Sequence, residues 1–195
     1  MAAEKGQGAG RAFDCLMASE LNTPILETER FILRPLVRED AEALFPTLSD
    51  PEECLYLWQG AFESVEALAD WLCDREWEGR SWSAIDRESG EFAARIVAVP
   101  SSERQSEVGY IVAKHAQGGG IATECVARLC DYLFEEEDHH RIIGSTDPRN
   151  IASNRVLERL GFRREAHFLQ NGKTHLGWCD EYVWAVLASE WRSAS

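Results

Sequence analysis

Long apolar runs are missing from this sequence. None approaches the roughly 18 consecutive apolar residues that a membrane-spanning helix needs. The first 20 residues, MAAEKGQGAGRAFDCLMASE, contain no continuous apolar segment of the kind that secretory signals carry. The six cysteines show neither the spacing of a disulfide framework nor that of a metal site. These absences predict a cytoplasmic protein with reduced thiols, without a membrane segment and without a bound metal.

Basic residues are also few, with 20 Lys and Arg against 34 Asp and Glu and a net charge of −14 at pH 7. A field of this sign repels nucleic acid and anionic membranes, so we expect neither as a partner. It attracts amines and basic peptides, although the need for solubility also explains most of these charges. The 195 residues, 45% hydrophobic and 28% charged, are typical of one globular domain.

The order of patterns along the chain predicts a mixed α/β domain with a partly antiparallel sheet and segregated helices. Residues 1–22, rich in Gly, Ala and charge, predict a flexible tail, and residues 23–195 predict the domain. Period-2 and apolar runs predict strands at 31–33, in two segments of 81–99, and at 107–113, 141–145, 164–170 and 181–187. The 3.6-residue period predicts helices beginning at 40, 64, 121 and 150.

Several single residues refine these boundaries. Asp40 is a candidate N-cap of the first helix, and Pro46 within that helix predicts a break or kink. Gly79 predicts the end of the second helix. The third helix is expected to reach about 137, and Gly161 to follow the fourth. Residues 100–106 are polar and predict a loop before the strand at 107.

The most informative stretch is EVGYIVAKHAQGGGIATECVARLCDYLF, residues 107–134. A buried strand leads into consecutive glycines and then directly into an amphipathic helix. Such glycines let backbone N–H groups converge, and the helix adds its positive end, so the geometry suits a phosphate. A flexible turn before a helix is the competing interpretation. A P-loop is excluded because no G-K-[ST] follows, and a Rossmann fingerprint because the third glycine is missing.

With its flanking motifs, the chain resembles the GNAT family of acetyl-CoA-dependent N-acetyltransferases, and within it the RimJ/RimL-like branch that acetylates ribosomal proteins. The resemblance covers residues 23–191 and is carried, in order, by TERFILRPL, REDAEALF, VGYIVA, QGGGIATE and DPRNIASNRVLERLGFRREA. It implies the GNAT fold, a twisted and mostly antiparallel mixed sheet with flanking helices. In that fold the fourth strand, here 107–113, splays from the fifth to admit the cofactor.

The resemblance also implies where acetyl-CoA would bind. Strand residues would face the pantetheine arm, loop and helix residues would hold the pyrophosphate, and two asparagines would contact the pantetheine amides. These residues are Ile111, Val112 and Ala113, then Gln117, Gly118, Gly119, Gly120, Ile121, Ala122 and Thr123, and finally Asn150 and Asn154. Gly119 stands where the family often carries a basic residue.

For the chemistry, the resemblance implies that Glu107 accepts the amine proton through water, against the alternative of a solvated strand end. Backbone N–H groups near Tyr110 and Ile111 would polarise the acetyl oxygen. Many family members place a proton-donating tyrosine where this chain has Leu157. Ser153 on the same helix is the remaining candidate, unless it is an ordinary first-turn serine.

The resulting hypothesis is an N-acetyltransferase that transfers acetyl directly to a primary amine in a ternary complex. The acceptor would be a protein N-terminus or a small cationic amine such as a polyamine or aminoglycoside. A catalytically silent acyl-CoA-binding module is the alternative. The sequence leaves the oligomeric state open, a homodimer included.

Overall fold

A single eight-stranded sheet organises residues 23–191, which the computed structural model describes. The tail predicted at 1–22 lies outside the described residues. The strands are β1 (Leu26–Glu27), β2 (Phe31–Pro35), β3 (Arg80–Asp86), β4 (Phe92–Ser102), β5 (Gln105–Val112), β6 (Arg141–Thr146), β7 (Arg163–Thr174) and β8 (Gly177–Leu187). The helices described are α1 (Asp40–Leu48), α2 (Val65–Leu72), α3 (Ile121–Glu135) and α4 (Ile151–Arg159), with a 3-10 turn at Lys114–Ala116.

The strands lie in the order β1-β2-β3-β4-β5-β6-β8-β7. Neighbours pair antiparallel except β5 and β6, which run parallel, so the predicted mixed and mostly antiparallel fold is confirmed. The parallel pair is short, because its register runs only from Gln105 opposite Arg141 to Glu107 opposite Ile143. Beyond Glu107 the two strands part, as the resemblance implies. They are the fifth and sixth strands here, since the two-residue β1 precedes them.

Helices cover both faces of the sheet. On one face α3 packs its apolar stripe, including Leu129 and Leu133, against inward-facing sheet residues such as Ile96. On the other face α1 and α2 bury Leu44 and Leu68 in a second cluster. Because side chains alternate along a strand, β4 sends successive residues to opposite faces. The side chains of β4 that point away from α3 are therefore available to line a site.

Two predictions about the helices are wrong, namely a break at Pro46 and an N-cap at Asp40. Helix α1 continues through Pro46 and ends at Leu48. The proline lies in the last turn, where it removes one backbone bond, and the fully buried Leu44 and Leu48 anchor that turn. Asp40 does not cap α1; its carboxylate accepts hydrogen bonds from Arg34, from Ser83 and from a backbone N–H.

Two boundaries also differ from the prediction. Helix α2 ends at Leu72, well before Gly79, and an Asx turn in which the Asp74 carboxylate accepts the N–H of Glu76 follows it. Residues 100–106 form a β-hairpin instead of a loop, because the β4–β5 ladder continues through Pro100. Arg104 takes the left-handed conformation in its turn, at φ 54°.

The described residues offer few sites for other chemistry. Within 23–191, no helix is long and apolar enough to cross a bilayer. The five cysteines in that range form no disulfide. No group of three His, Cys, Asp or Glu side chains in the same range is placed to hold a metal ion.

Candidate active site

A cleft of about 440 Å³ opens where β5 leaves β6. Its floor is the β4–β5 ladder, and its walls come from the loop after α1, the start of α4 and strand β8. Among the predicted site residues, Glu107, Ile111, Asn150 and Ser153 line this cleft. The lining also includes residues of β4, β5, β8 and the neighbouring segments, among them Trp77, Arg95, Val97, Gly109, Tyr110, Asp147, Leu157, Gly172, Cys179, Asp180 and Glu181.

Glu107 occupies the fork itself. It is the last residue of β5 that pairs with β6, opposite Ile143, and on its other side it pairs with Val99 of β4. Its carboxylate lines the cleft and makes no hydrogen bond or ion pair with any described residue. A carboxylate left without a partner beside a cleft is available to bind water and accept a proton.

The start of α4 brings Ser153 to the same cleft. The Ser153 N–H donates to the side chain of Asn150, which caps the helix, at 3.1 Å. The Ser153 carbonyl accepts the hydroxyl of Tyr110 at 3.0 Å, while its own hydroxyl bonds to no described residue. Leu157, one turn later, is 1% exposed and packs beside Gly144 of β6. Serine and tyrosine hydroxyls thus occur near the position where Leu157 replaces the family tyrosine.

The backbone of β5 is directed by its pairing with β4. The N–H of Ala113 donates to the carbonyl of Ala93 in β4 at 2.9 Å, so this N–H is engaged within the sheet, and a contact of Ala113 with the pantetheine arm stays a prediction. In an antiparallel ladder, alternate residues direct both backbone groups to the same neighbour. Ile111 therefore also bonds towards β4, and Tyr110 and Val112 present their backbone groups to the open side of the fork.

The predicted phosphate loop forms a cradle of backbone donors. Gly118 and Gly120 take left-handed φ values of 84° and 76°, and Gly120 is the N-cap of α3. The first N–H groups of a helix have no partner within it. None of the N–H groups of residues 118–123 donates to a described backbone or side-chain acceptor. The loop is exposed and lies outside the cleft lining, at the far end of β5.

A cation reaches this cradle from another element. The Arg30 guanidinium donates to the carbonyl of Gly119 at 3.0 Å and pairs with Glu124 of α3 at 2.6 Å. Its Nη2 would lie 3.9 Å from a Cβ built on Gly120. Arg30, whose charge Glu124 balances, therefore lies beside the loop from the turn before β2, whereas Gly119 itself offers no basic side chain.

The remaining residues that were predicted to contact acetyl-CoA form hydrogen bonds within the protein or lie in its core. Asn154 is 7% exposed; its amide donates to the carbonyl of Pro148 and its oxygen accepts from Thr146 at 2.6 Å. Gln117 donates to Glu53 at 2.7 Å. The side chain of Thr123 is half-buried on α3, and those of Ile121 and Ala122 are in the core, so these residues can offer a ligand mainly their backbones.

Carboxylates line the β8 side of the cleft. Asp147 pairs with Arg149 at 2.7 Å, and hydrogen bonds from Arg149 hold the pKa of Asp147 below its usual range. Asp180 accepts the N–H of Gln170 at 2.9 Å and lies 3.0 Å from Nε2 of His167. These two contacts lower the pKa of Asp180, so both carboxylates are ionised at neutral pH.

The floor of the cleft carries a buried cation. Arg95 of β4 lines the cleft, is 6% exposed, and lies between the rings of Trp71 and Trp77. Sequence reasoning missed Arg95, since its neighbours come from α2, from the segment after α2 and from β3. An arginine inside an otherwise apolar strand, FAARIVAV, is the signal that was available.

Comparison with known proteins decides the family. A family model described as an acetyltransferase (GNAT) domain matches residues 30–163. The chain belongs to the GNAT family of acetyltransferases. GNAT acetyltransferases use acetyl-CoA, and the described strands, fork and glycine loop stand in the order that the resemblance implies.

Individual GNAT proteins resemble most of the chain. The N-acetyltransferase YoaA of Bacillus subtilis (strain 168) is 31% identical over 175 residues, covering 84% of this chain and 97% of that protein. The crystal structure of a GNAT-family acetyltransferase from Bacillus anthracis matches with a TM-score of 0.79 and 27% identity, covering 86% of this chain and 100% of the other. The [ribosomal protein uS5]-alanine N-acetyltransferase of Escherichia coli (strain K12) is 27% identical over 84 residues, 43% of each chain. This last similarity agrees with the RimJ/RimL-like branch.

Proposed function

We propose that this GNAT acetyltransferase transfers an acetyl group from acetyl-CoA directly to a primary amine in a ternary complex. One observation carries the proposal: the unpaired carboxylate of Glu107 stands at the fork of β5 and β6, in the same cleft as the hydroxyl of Ser153. Amine acetylation needs a proton acceptor, donors to the acetyl oxygen and a donor to the leaving thiolate. The cleft offers a candidate for each.

The residues present fit acetyl-CoA. Unpaired N–H groups at 118–123, with Arg30 beside them, suit a pyrophosphate, and the backbone of Tyr110 and Val112 suits the pantetheine amides. When bound, acetyl-CoA supplies the activated acetyl thioester. The cleft, whose lining includes Glu107 and Ser153, adjoins the edge of β5 along which the pantetheine would lie.

In this proposal Glu107 accepts the ammonium proton through a water molecule, so that the amine can attack in its neutral form. The N–H of Tyr110, directed to the open side of the fork, donates to the acetyl oxygen as negative charge develops there. The hydroxyl of Ser153 donates to the departing thiolate. The phenol of Tyr110 holds the Ser153 carbonyl and thereby positions the start of α4.

Direct transfer is supported by the state of Cys179, the cysteine in the cleft lining. Its Sγ lies 3.5 Å from the carbonyl of Gly172, in the geometry of a weak hydrogen bond that the thiol donates. Burial, together with the charge of Asp147, raises the pKa of the thiol. A protonated, hydrogen-bonded thiol is a poor nucleophile, so Cys179 is poorly suited to carry the acetyl group as a covalent intermediate.

The acceptor classes proposed are a protein N-terminus and a small amine. The carboxylates of Asp180 and Glu181 give the β8 wall negative charge that attracts an ammonium group, whereas that of Asp147 is paired with Arg149. The similarity to the uS5-alanine enzyme, which covers less than half of either chain, favours the N-terminus of a protein as the first acceptor to test.

The test is release of CoA thiol from acetyl-CoA with a panel of amines and N-terminal peptides. We expect turnover with at least one acceptor, and loss of about 10²-fold in kcat/KM for Glu107→Gln. The catalytically silent alternative predicts saturable binding of acetyl-CoA, seen as a rise in melting temperature, without thiol release by any acceptor. That outcome would overturn the proposed activity.

A further inference from the structure

Arg95 is a buried cation in the floor of the cleft that no carboxylate of the described residues neutralises. Its Nε and Nη2 both donate to the hydroxyl oxygen of Ser81, at 3.2 and 3.0 Å. The rings of Trp71 and Trp77 lie 4.6 and 5.2 Å from its guanidinium carbon. Within residues 23–191, no Asp or Glu pairs with Arg95, and its Nη1 makes no hydrogen bond.

An arginine in this setting is far from its usual environment. Burial lowers the pKa of the Arg95 guanidinium to about 10, so it remains charged at neutral pH. Burying a charge without an opposite charge is costly, and stacking on two indoles recovers only part of that cost. A guanidinium also carries five N–H donors in a fork that matches a carboxylate. A guanidinium that lines the cleft and keeps free N–H donors is better suited to bind a ligand than to serve the fold alone.

Arg95 and Glu107 stand at two separate points along the cleft floor, and the strand register gives the distance between them. Arg95 pairs with Ile111, and Val99, on the same face of β4, pairs with Glu107. The two pairs lie four residues apart along the ladder, about 13 Å at roughly 3.3 Å per residue. Between them the floor is Val97 opposite Gly109, and a Cβ on Gly109 would meet Val97 at 3.0 Å. A narrow apolar floor therefore separates an unpaired carboxylate from an unpaired guanidinium.

We propose that Arg95 binds a carboxylate of the acceptor, and that the acceptor is a small amino acid, a primary amine that carries its own carboxylate. This inference rests on the proposed function of the cleft. The amine would lie at Glu107 and the acid at Arg95. Asp180 and Glu181 of β8 also line the cleft and add to its attraction for the ammonium group of such an acceptor.

The phosphates of the cofactor are a less suitable partner for Arg95. The N–H cradle at 118–123 lies outside the cleft lining and already has Arg30 beside it. Arg95 lies on the face of β4 that points away from α3, the helix that the cradle begins. The charge of Arg95 therefore belongs to the acceptor side of the fork.

The test compares amino acids with their carboxamides as acceptors. Glycine, β-alanine, 4-aminobutyrate and 6-aminohexanoate, each with its amide, present the amine at increasing distances from the acid. We expect thiol release to favour the best acid over its amide by about 10- to 100-fold in kcat/KM, since a hydrogen bond to a charged group contributes about 1.5–3 kcal/mol. Arg95→Met should abolish this preference, so that the ratio of kcat/KM for each acid to kcat/KM for its amide falls to about one. Arg95→Lys, which keeps the charge, should retain part of it.

Other results would overturn the inference. If the wild-type protein acetylates the amides as fast as the acids, or Arg95→Met slows both alike, Arg95 is a structural residue, and the acetyltransferase activity still stands. If no amine is acetylated, the proposed activity fails, and the melting temperature with CoA decides the role of Arg95. A rise produced by the acids alone and lost in Arg95→Met would support the carboxylate site, and its absence would overturn it. The wild-type comparison needs no variant, so a misfolded Arg95→Met leaves the proposal testable.

Discussion

The hydroxyl of Tyr110 donates to the carbonyl of Ser153 at 3.0 Å and so ties β5 to the first turn of α4. The bond lies beyond Glu107, where β5 and β6 have already parted. Burial raises the pKa of Tyr110 to about 12, so the phenol remains a donor throughout the neutral range. A side-chain contact thereby joins β5 to the start of α4 at the point where no strand ladder joins β5 to β6.

This arrangement predicts different effects for the two hydroxyls. Ser153→Ala should lower kcat by several-fold with little change in the KM for acetyl-CoA, because the free serine hydroxyl assists only the departing thiolate. A thiolate is a tolerable leaving group, since an ordinary cysteine thiol has a pKa of about 8.5, so we expect a smaller loss than that for Glu107→Gln. Steady-state kinetics with acetyl-CoA varied would measure both constants.

Tyr110→Phe is expected to act mainly on stability. The variant leaves the Ser153 carbonyl without its donor, which should lower the free energy of unfolding by about 1 kcal/mol in urea titrations. If instead Tyr110→Phe lowers kcat more than Ser153→Ala does, the phenol is the proton donor and the assignment of Ser153 is wrong.

Glu107→Gln should lower kcat/KM by about 10²-fold at pH 7, and the deficit should shrink as pH rises because more amine is then neutral without assistance. A pH–rate profile of kcat/KM from 6.5 to 9.5 would measure this. Glu103→Gln, at an exposed position in the β4–β5 turn, is the matched control and should leave the profile unchanged. A full wild-type rate for Glu107→Gln at pH 6.5–7 would remove Glu107 from the mechanism.

The two alanine substitutions in the glycine loop should differ. A Cβ at Gly119 meets nothing closer than 3.8 Å and its φ is not left-handed, so Gly119→Ala should leave both the fold and acetyl-CoA binding unchanged. Gly120 has φ 76°, where an L side chain costs about 1–2 kcal/mol. Gly120→Ala should therefore lower the melting temperature and weaken the cradle.

Ligand stabilisation provides the measurement for this pair. Acetyl-CoA at about 100 times its Kd should add about 2.7 kcal/mol to the free energy of unfolding of the wild-type protein. Gly119→Ala should keep that increment, and Gly120→Ala should lose part of it. Equal increments in both variants would mean that the backbone of the cradle does not bind the cofactor.

The sequence predicted the elements that carry the site because each rests on local signals. The apolar strand through Tyr110, the glycines before α3 and the Asn150 cap of α4 are all readable within a few residues. The family resemblance then placed Glu107 and Ser153 on facing elements. The structure brings both into one cleft, although their catalytic roles stay predictions.

What the sequence could not provide is the register between strands. Arg95 becomes a cleft residue because it pairs with Ile111 and stacks on Trp77, which lies 18 positions earlier in the chain. The backbone direction of Ala113 likewise depends on its pairing with Ala93. A shift of the register by one residue would change both the placing of Arg95 in the cleft and the direction of the Ala113 backbone. No local sequence pattern fixes such a register.

Acid should remove one identified contribution to stability. Arg80 donates two hydrogen bonds of 2.6 Å to the carboxylate of Glu137, which also accepts the hydroxyl of Tyr132. Burial opposes ionisation of Glu137, but these donors outweigh it and hold its pKa below the usual value. The native state then binds fewer protons than the unfolded chain, so stability rises with pH between the folded pKa and the unfolded value of about 4.3.

Glu137→Gln should accordingly lower the free energy of unfolding by about 1–3 kcal/mol at pH 7, and the gap between variant and wild type should close as pH falls below about 4.5. Glu136→Gln is the neighbouring control. Glu136 is 59% exposed and lies 3.4 Å from Arg128, so its loss should cost less than about 0.5 kcal/mol at either pH. Urea titrations at pH 7 and pH 3.5 would measure the difference in the free energy of unfolding between each of the two variants and the wild type at each pH. A gap for Glu137→Gln that is the same at both pH values would contradict the assignment of this stabilisation to the ionised carboxylate.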